Sequence, residues 1–320
     1  MSTSKFHKGV WLFVESDFKE GPAAVKRCVE RLARAGIELM IPCVKVKDGY
    51  LDYATKIGLV NPLFAKWDPL EMICREARKK NIQVHPWFCV FHEGEGSKLL
   101  RQNKNLRAFI WENGKDAGTW ACAMRDEVQD YEFSLYQEVM KQYDVAGVHL
   151  DYIRSGCKCV CPYCRQWFRK NIGGDIRKVS INYGNDDFWQ WTNWRSANIT
   201  RFVRRIYREA HQRKKEVSAA VMWHYPACIV DNAQDWGTWA AEGIVDYLFP
   251  MNYSSDTRFM EQATRNHIAA VGKKCALWEG LGTWRLMEQM KAVRKMGVHG
   301  AVIFQYNALT DEHIRQMARF

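Results

Sequence analysis

No stretch of the chain approaches the ~20 consecutive apolar residues that a membrane-crossing helix needs, although 47% of its 320 residues are hydrophobic. The first residues, "MSTSKFHKGVWLFVES", lack the charged-then-apolar pattern of a secretory signal, and their apolar run reads as a strand. The expectation is a cytoplasmic protein, or a secreted one whose signal has been trimmed. No glycine-rich phosphate loop follows that first strand, which argues against a nucleotide-binding open sheet. No linker, low-complexity tract or short repeat interrupts the chain, so a single domain is expected over 1–320. The formal charge is +11, yet no dense basic tract carries it. Lys and Arg are spread over helical segments such as "RFVRRIYREAHQRKK", as on a solvated face. Neither nucleic acid nor a membrane is therefore the expected partner.

What the sequence does have is alternation from end to end. Strand-like runs begin near Gly9, Ile37, Ile82, Ala146, Val217, Val245, Lys274 and Gly300, and an amphipathic helical pattern follows each. Eight such units predict an α/β fold, a single (β/α)8 TIM barrel. The longest irregular segments, about 92–126 and 155–187, follow the third and fourth strands. In a barrel they lie on the C-terminal face, where active sites form.

Side chains alternate along a strand. On the fourth, Gly147, His149 and Asp151 are expected to point into the barrel, with Asp151 last, at the rim. An acid at a barrel strand end reads as catalytic, against the simpler reading of an ion pair with Arg154. Hydrolysis of a glycosidic bond uses two facing carboxylates. Glu279, ending the seventh strand opposite the fourth, is the expected partner; Glu15, Glu93 and Glu95 are the alternatives. His85, Trp87, His224, Asn252, Tyr253, Gln305 and Asn307 fall at or near strand ends. They are the amide, imidazole and aromatic groups that hold sugars, or else satisfied polar groups of the core.

The chain has 11 cysteines, four of them within eight residues. Cys159, Cys161 and Cys164 form a C-x-C-x-x-C claw of the kind that holds zinc, with a fourth ligand to come from Cys157 or elsewhere. Cys122 precedes the helix that leads into the fourth strand, on the same rim. Cys157, Cys161 and Cys164 also make a C-x-x-x-C-x-x-C spacing, similar to that of iron–sulfur radical enzymes, though those place it after the first strand.

Blocks across nearly the whole chain, "HPWF", "YDVAGVHLDYIR", "QDWGTWAAEGIVDYLFPMNY", "GLGTWR" and "GAVIFQYN", resemble the family-10-like glycosyl hydrolases. The resemblance implies a TIM barrel acting on a polysaccharide or glycoside, with Asp151 in its site. Separately, "CKCVCPYCRQWF" resembles the zinc loop of glycoside hydrolase family 42 β-galactosidases, which implies Cys122, Cys159, Cys161 and Cys164 as ligands. Those enzymes carry Asn-Glu on the fourth strand where this chain has Leu150-Asp151, so the likeness extends to the metal loop alone. The expectation is a glycoside hydrolase with a structural zinc beside its active site. A glycan-binding barrel without turnover and an iron–sulfur enzyme are the alternatives.

Overall fold

The structure is a computed structural model, and it describes residues 5–320. Eight parallel strands form its centre: β1 (His7–Phe13), β2 (Leu39–Lys45), β3 in two pieces (Gln83–Val84 and Trp87–Cys89), β4 (Gly147–Asp151), β5 (Glu216–Val221), β6 (Tyr247–Pro250), β7 (Ala276–Leu281) and β8 (Gly300–Phe304). β1 pairs with both β2 and β8, Trp11 lying opposite Ile41 on one side and Phe304 on the other, so the sheet closes. The expected TIM barrel is what forms. The break in β3 falls at Pro86, which has no N–H to give the ladder; its carbonyl still accepts from His149 N at 2.9 Å.

Helices pack around this barrel because their apolar residues recur at helical spacing and their ends are capped. Asp68, Asn185 and Asp256 each accept backbone N–H groups of the turn they precede, a contact worth about 1 kcal/mol. Thr310 and His313 form a reciprocal capping pair. Pro22, Pro69 and Pro162 sit in first turns, where no N–H partner is lost.

The core has two layers. Between sheet and helices lie residues such as Val10, Met40, Val148, Leu248 and Ile303. Inside the barrel lie Trp11, Ile41, Trp87, Phe249, Trp278 and Val302. Each such side chain stabilises the fold by roughly 1.5–3 kcal/mol on leaving water. The inner layer also holds polar groups. His149 accepts from Trp11 Nε1 at 3.1 Å, and the Nδ1 atoms of His149 and His85 lie 2.8 and 3.0 Å from Ser218 Oγ. Burial keeps His149 well below its usual pKa, hence neutral.

The two long segments are less irregular than their composition suggests. The first contains a short helix, Lys98–Gln102, and an antiparallel hairpin of Arg107–Phe109 with Asp116–Ala121; the second contains the helix Pro162–Asn171. Three ionisable side chains are buried beneath the first of them. Lys45 Nζ donates to Glu93 and, at 2.7 Å, to Glu132, and none of the three side chains is exposed. Lys45 also donates to the carbonyls of Cys89 and Val90. One cation thereby ties the end of β3 to the helix Asp126–Gln142.

Candidate active site

Asp151 ends β4 at the C-terminal mouth and is 5% exposed. It lines a chamber of about 150 Å³ whose walls include Trp11, Phe13, Trp87, Tyr253 and Phe304. The inner-facing positions of β1, β3 and β8 supply four of these aromatics, so the chamber follows directly from strand alternation. Tyr253 stacks on Phe304 with ring centres 4.9 Å apart. Trp87 Nε1 is buried without a hydrogen-bond partner, a donor pointing at no protein acceptor.

The chain turns sharply after the acid. Tyr152 adopts a left-handed conformation, φ 50°, a backbone region costly for a residue with a Cβ. That turn lets Tyr152 N donate to Asp151 Oδ1 at 2.6 Å and brings Arg154 back to 3.3 Å from the same oxygen. The Arg154 guanidinium sits over the Tyr152 ring, 4.4 Å from its centre, and Lys47 lies over it at 5.4 Å. Burial raises the Asp151 pKa above the ordinary carboxylate value, and the Arg154 charge only partly offsets it. The result is a carboxyl group that gives up its proton less readily than an exposed aspartate, in an aromatic, cation-lined chamber.

A larger groove of about 600 Å³ adjoins this chamber and shares Phe13 and Lys47 with it. Glu15, Ser16, Lys19, Asp48 and Leu63 border it. The chamber alone is smaller than the ~300–1,000 Å³ of ordinary ligand clefts, whereas the groove falls within that range.

Of the residues singled out in the sequence, Asp151, Arg154, Trp87 and Tyr253 come together at the chamber. Glu279 does not. Its carboxylate lies on the outer face of β7, fully buried, accepting from His267 Nδ1 at 2.7 Å and from Asn252 Nδ2 at 3.3 Å. The inner positions of that strand are Ala276 and Trp278, so the expected facing of Glu279 towards Asp151 is corrected by one residue of alternation. Glu93, an alternative, is held by Lys45. Asn252 also belongs to the outer layer, donating to Met260 O at 3.0 Å. His85 points inward but deep in the barrel, beside Ser218 and 3.4 Å from Glu216. His224 lies beyond β5, 3.6 Å from Asp231. Gln305 lies just past the end of β8 and does not line the chamber, and neither does the exposed Asn307. Glu95 is likewise exposed. The sequence reading missed Trp11, Phe13 and Phe304, which the inward alternation of β1 and β8 would have revealed, and Lys47 and Tyr152, which no pattern signals.

The cysteines gather as the resemblance implies. The Sγ atoms of Cys122, Cys159, Cys161 and Cys164 all lie within 4.8 Å of one another, and all four residues are buried. Two of the separations are 3.6 and 3.7 Å. Four thiolates at ~2.3 Å from a central zinc stand about 3.8 Å apart in a tetrahedron, so the donor set fits that metal in type, number and spacing. Cys157 stands outside the set, its thiol turned to Phe109 O at 3.6 Å. Cys122 follows the hairpin and the other three follow β4, so the cluster joins the two long rim segments.

A closed parallel barrel with a strand-end carboxyl group in an aromatic chamber at its C-terminal mouth is the architecture of glycoside hydrolase barrels. The chain belongs to the Glycosyl hydrolase-like 10 family, whose pattern it matches over residues 8–281. Over 215 residues it is 23% identical to the glycosyl hydrolase YngK of Bacillus subtilis, a match covering 59% of this chain and 39% of that protein. Over 221 residues it is 26% identical to the glycosyl hydrolase DigH of Escherichia coli, covering 58% and 46%. The chain thus spans less than half the length of these curated relatives. In fold it is similar to the PgaB (BpsB) glycoside hydrolase domain of Bordetella bronchiseptica, with a TM-score of 0.77, 11% identity and 98% of each chain covered. A cold-adapted β-galactosidase of Rahnella has a TM-score of 0.72 and 13% identity, over 99% of this chain and 55% of that one.

Proposed function

We propose that the protein hydrolyses a glycosidic bond in an oligo- or polysaccharide, with Asp151 as the proton-donating acid. The observation that carries this reading is the buried, aromatic-walled placement of Asp151 at the barrel mouth, which raises its pKa as a general acid requires. Trp87 and Tyr253 would face the sugar, and Arg154 would hold the carboxyl group in place and stabilise it once the proton has left. With Glu279 and Glu93 engaged elsewhere, Glu15 on the adjoining groove becomes the candidate second carboxylate. Zinc at the four cysteines would hold the hairpin against the segment after β4, and so hold the rim that carries Tyr152 and Arg154.

No second carboxylate lines the chamber itself among the described residues, and this favours one other reading, a barrel that binds a glycan without cleaving it. Reducing-end release from a panel of polysaccharides, measured for wild type and Asp151→Asn, separates the two. Hydrolysis by wild type and a loss of at least ~10²-fold in the variant are expected. Equal rates in the two would refute the role of Asp151. Glycan binding with no release by wild type would establish the binding reading.

A further inference from the structure

Arg195 lies in the long helix Asp186–Gln212 and is 1% exposed. Only its Nη1 is engaged, donating to Val230 O at 3.2 Å. Its Nε and Nη2 have no hydrogen-bond partner, and no carboxylate forms an ion pair with it among the described residues. Arginine is almost never fully buried without a counter-charge, because an isolated buried cation is costly.

Its surroundings point to the missing anion. The helix carrying Cys164 packs on this helix through Trp167 and Trp194, stacked with ring centres 4.0 Å apart, and Phe168 meets Trp191 edge-on. Trp191 in turn lies 5.5 Å from the guanidinium. Arg195 is thereby fixed beneath the cysteine segment. Negative charge placed on the sulfurs of this segment, Cys159 and Cys164 of the cluster and the neighbouring Cys157, would bear on it ahead of that of Asp231. Four neutral thiols, or two disulfides, would leave the guanidinium uncompensated. Four thiolates around a divalent ion carry a net charge of two negatives.

We propose that Arg195 is the counter-cation of a tetrathiolate centre at Cys122, Cys159, Cys161 and Cys164, whose resident is a divalent metal. This rests on the zinc reading above and adds a partner to it: the helix at 186–212 is built to receive an anionic cluster. The metal and Arg195 then stabilise one another. Loading the site satisfies the arginine, and the arginine halves the charge that the four-thiolate complex leaves buried. Such outer partners typically alter metal affinity 10–100-fold.

The test measures zinc affinity by chelator competition, and melting temperature with and without zinc, for wild type, Arg195→Met and Arg195→Lys. Arg195→Met keeps the length and removes the charge. It should bind zinc at least ~10-fold more weakly and melt no lower than wild type when metal-free, so the gap between loaded and metal-free melting shrinks. Arg195→Lys should retain most of the affinity. An arginine that merely packs would lower both melting temperatures together and leave zinc affinity alone, overturning the proposal. If Arg195→Met does not fold, Arg195→Lys decides: affinity lost in spite of the retained charge refutes the counter-cation role. Wild type that takes up no zinc refutes the metal reading itself, and the proposal with it.

Discussion

Glu279 offers the sharpest separation of a structural acid from a catalytic one. Its carboxylate is fully buried between His267 and Asn252, and His267 also holds Trp223 O at 2.8 Å through its other nitrogen. Burial disfavours the imidazolium, but Glu279 outweighs it and the His267 pKa is raised. Glu279→Gln keeps the shape and removes the charge. Glutamine still accepts from His267, so the cost belongs near the lower end of the ~3–5 kcal/mol for breaking a buried pair, about 3 kcal/mol. Unfolding entropy of ~2.1 cal/mol/K per residue gives about 0.7 kcal/mol/K for 320 residues. The melting temperature should therefore fall by about 4–5 °C. Calorimetry reads that shift, and turnover measured well below the transition should be unchanged, since the side chain faces away from the chamber. The sign with pH follows from the raised His267 pKa. The ion pair stabilises the fold below the unfolded imidazole value of ~6.5 and loses that contribution as pH rises through the higher folded value. The penalty of Glu279→Gln should thus be larger at pH 6 than in alkaline solution. A variant as stable as wild type but without turnover would refute this reasoning and return Glu279 to the catalytic site.

Asp151 should show the opposite relation between stability and function. Its folded pKa is raised, so it favours the fold below the ordinary value near ~4, and that contribution is lost as pH rises through the raised value. Denaturant titrations across that window should show a slope in wild type that Asp151→Asn lacks; parallel curves would contradict the assignment. In the hydrolase reading, turnover should decline on the alkaline side as this acid loses its proton, and a rate independent of pH there would count against it. Elemental analysis should find one zinc per chain in wild type and none in Cys159→Ser. The variant should become susceptible to protease within 107–121 and 155–164 while the barrel survives, because the barrel has its own core; global unfolding on loss of the metal would contradict that.

Much of this was legible in the sequence, for identifiable reasons. Eight strand–helix units announce a barrel because each helix must bury one face on a sheet that is covered all round. Asp151 was legible because a charged residue closing an apolar strand has few places to go. Cys122 was found by likeness and not by spacing, since it lies 37 positions before Cys159 and meets it only through the fold. Glu279 was misread because β7 is buried on both faces. "ALWEGL" has no polar–apolar alternation to mark its inside, and a shift of one residue exchanges the faces. Asn252, just past the end of the neighbouring β6, followed it for the same reason. His85 was given the right direction and the wrong depth, because alternation fixes which way a side chain points and says nothing of how far along the barrel it sits. Arg195 carried no signal at all, being one of five arginines in a helix whose face could be read only against its neighbours.

The single hydroxyl of Ser218 links the two histidines buried in the barrel interior. Trp11 can only donate, so His149 Nε2 must be bare, and the neutral ring carries its hydrogen on Nδ1, directed at Ser218. The serine hydrogen then has two acceptors in reach, His85 Nδ1 and Val148 O at 3.3 Å; when it points at His85, the hydrogen of that ring sits on Nε2, facing Glu216 at the far end. In that arrangement every donor along this line points the same way, from the aromatic wall beside Asp151 down to the base of the barrel. The tautomer of His149 is thus fixed by an indole 138 residues away in the chain.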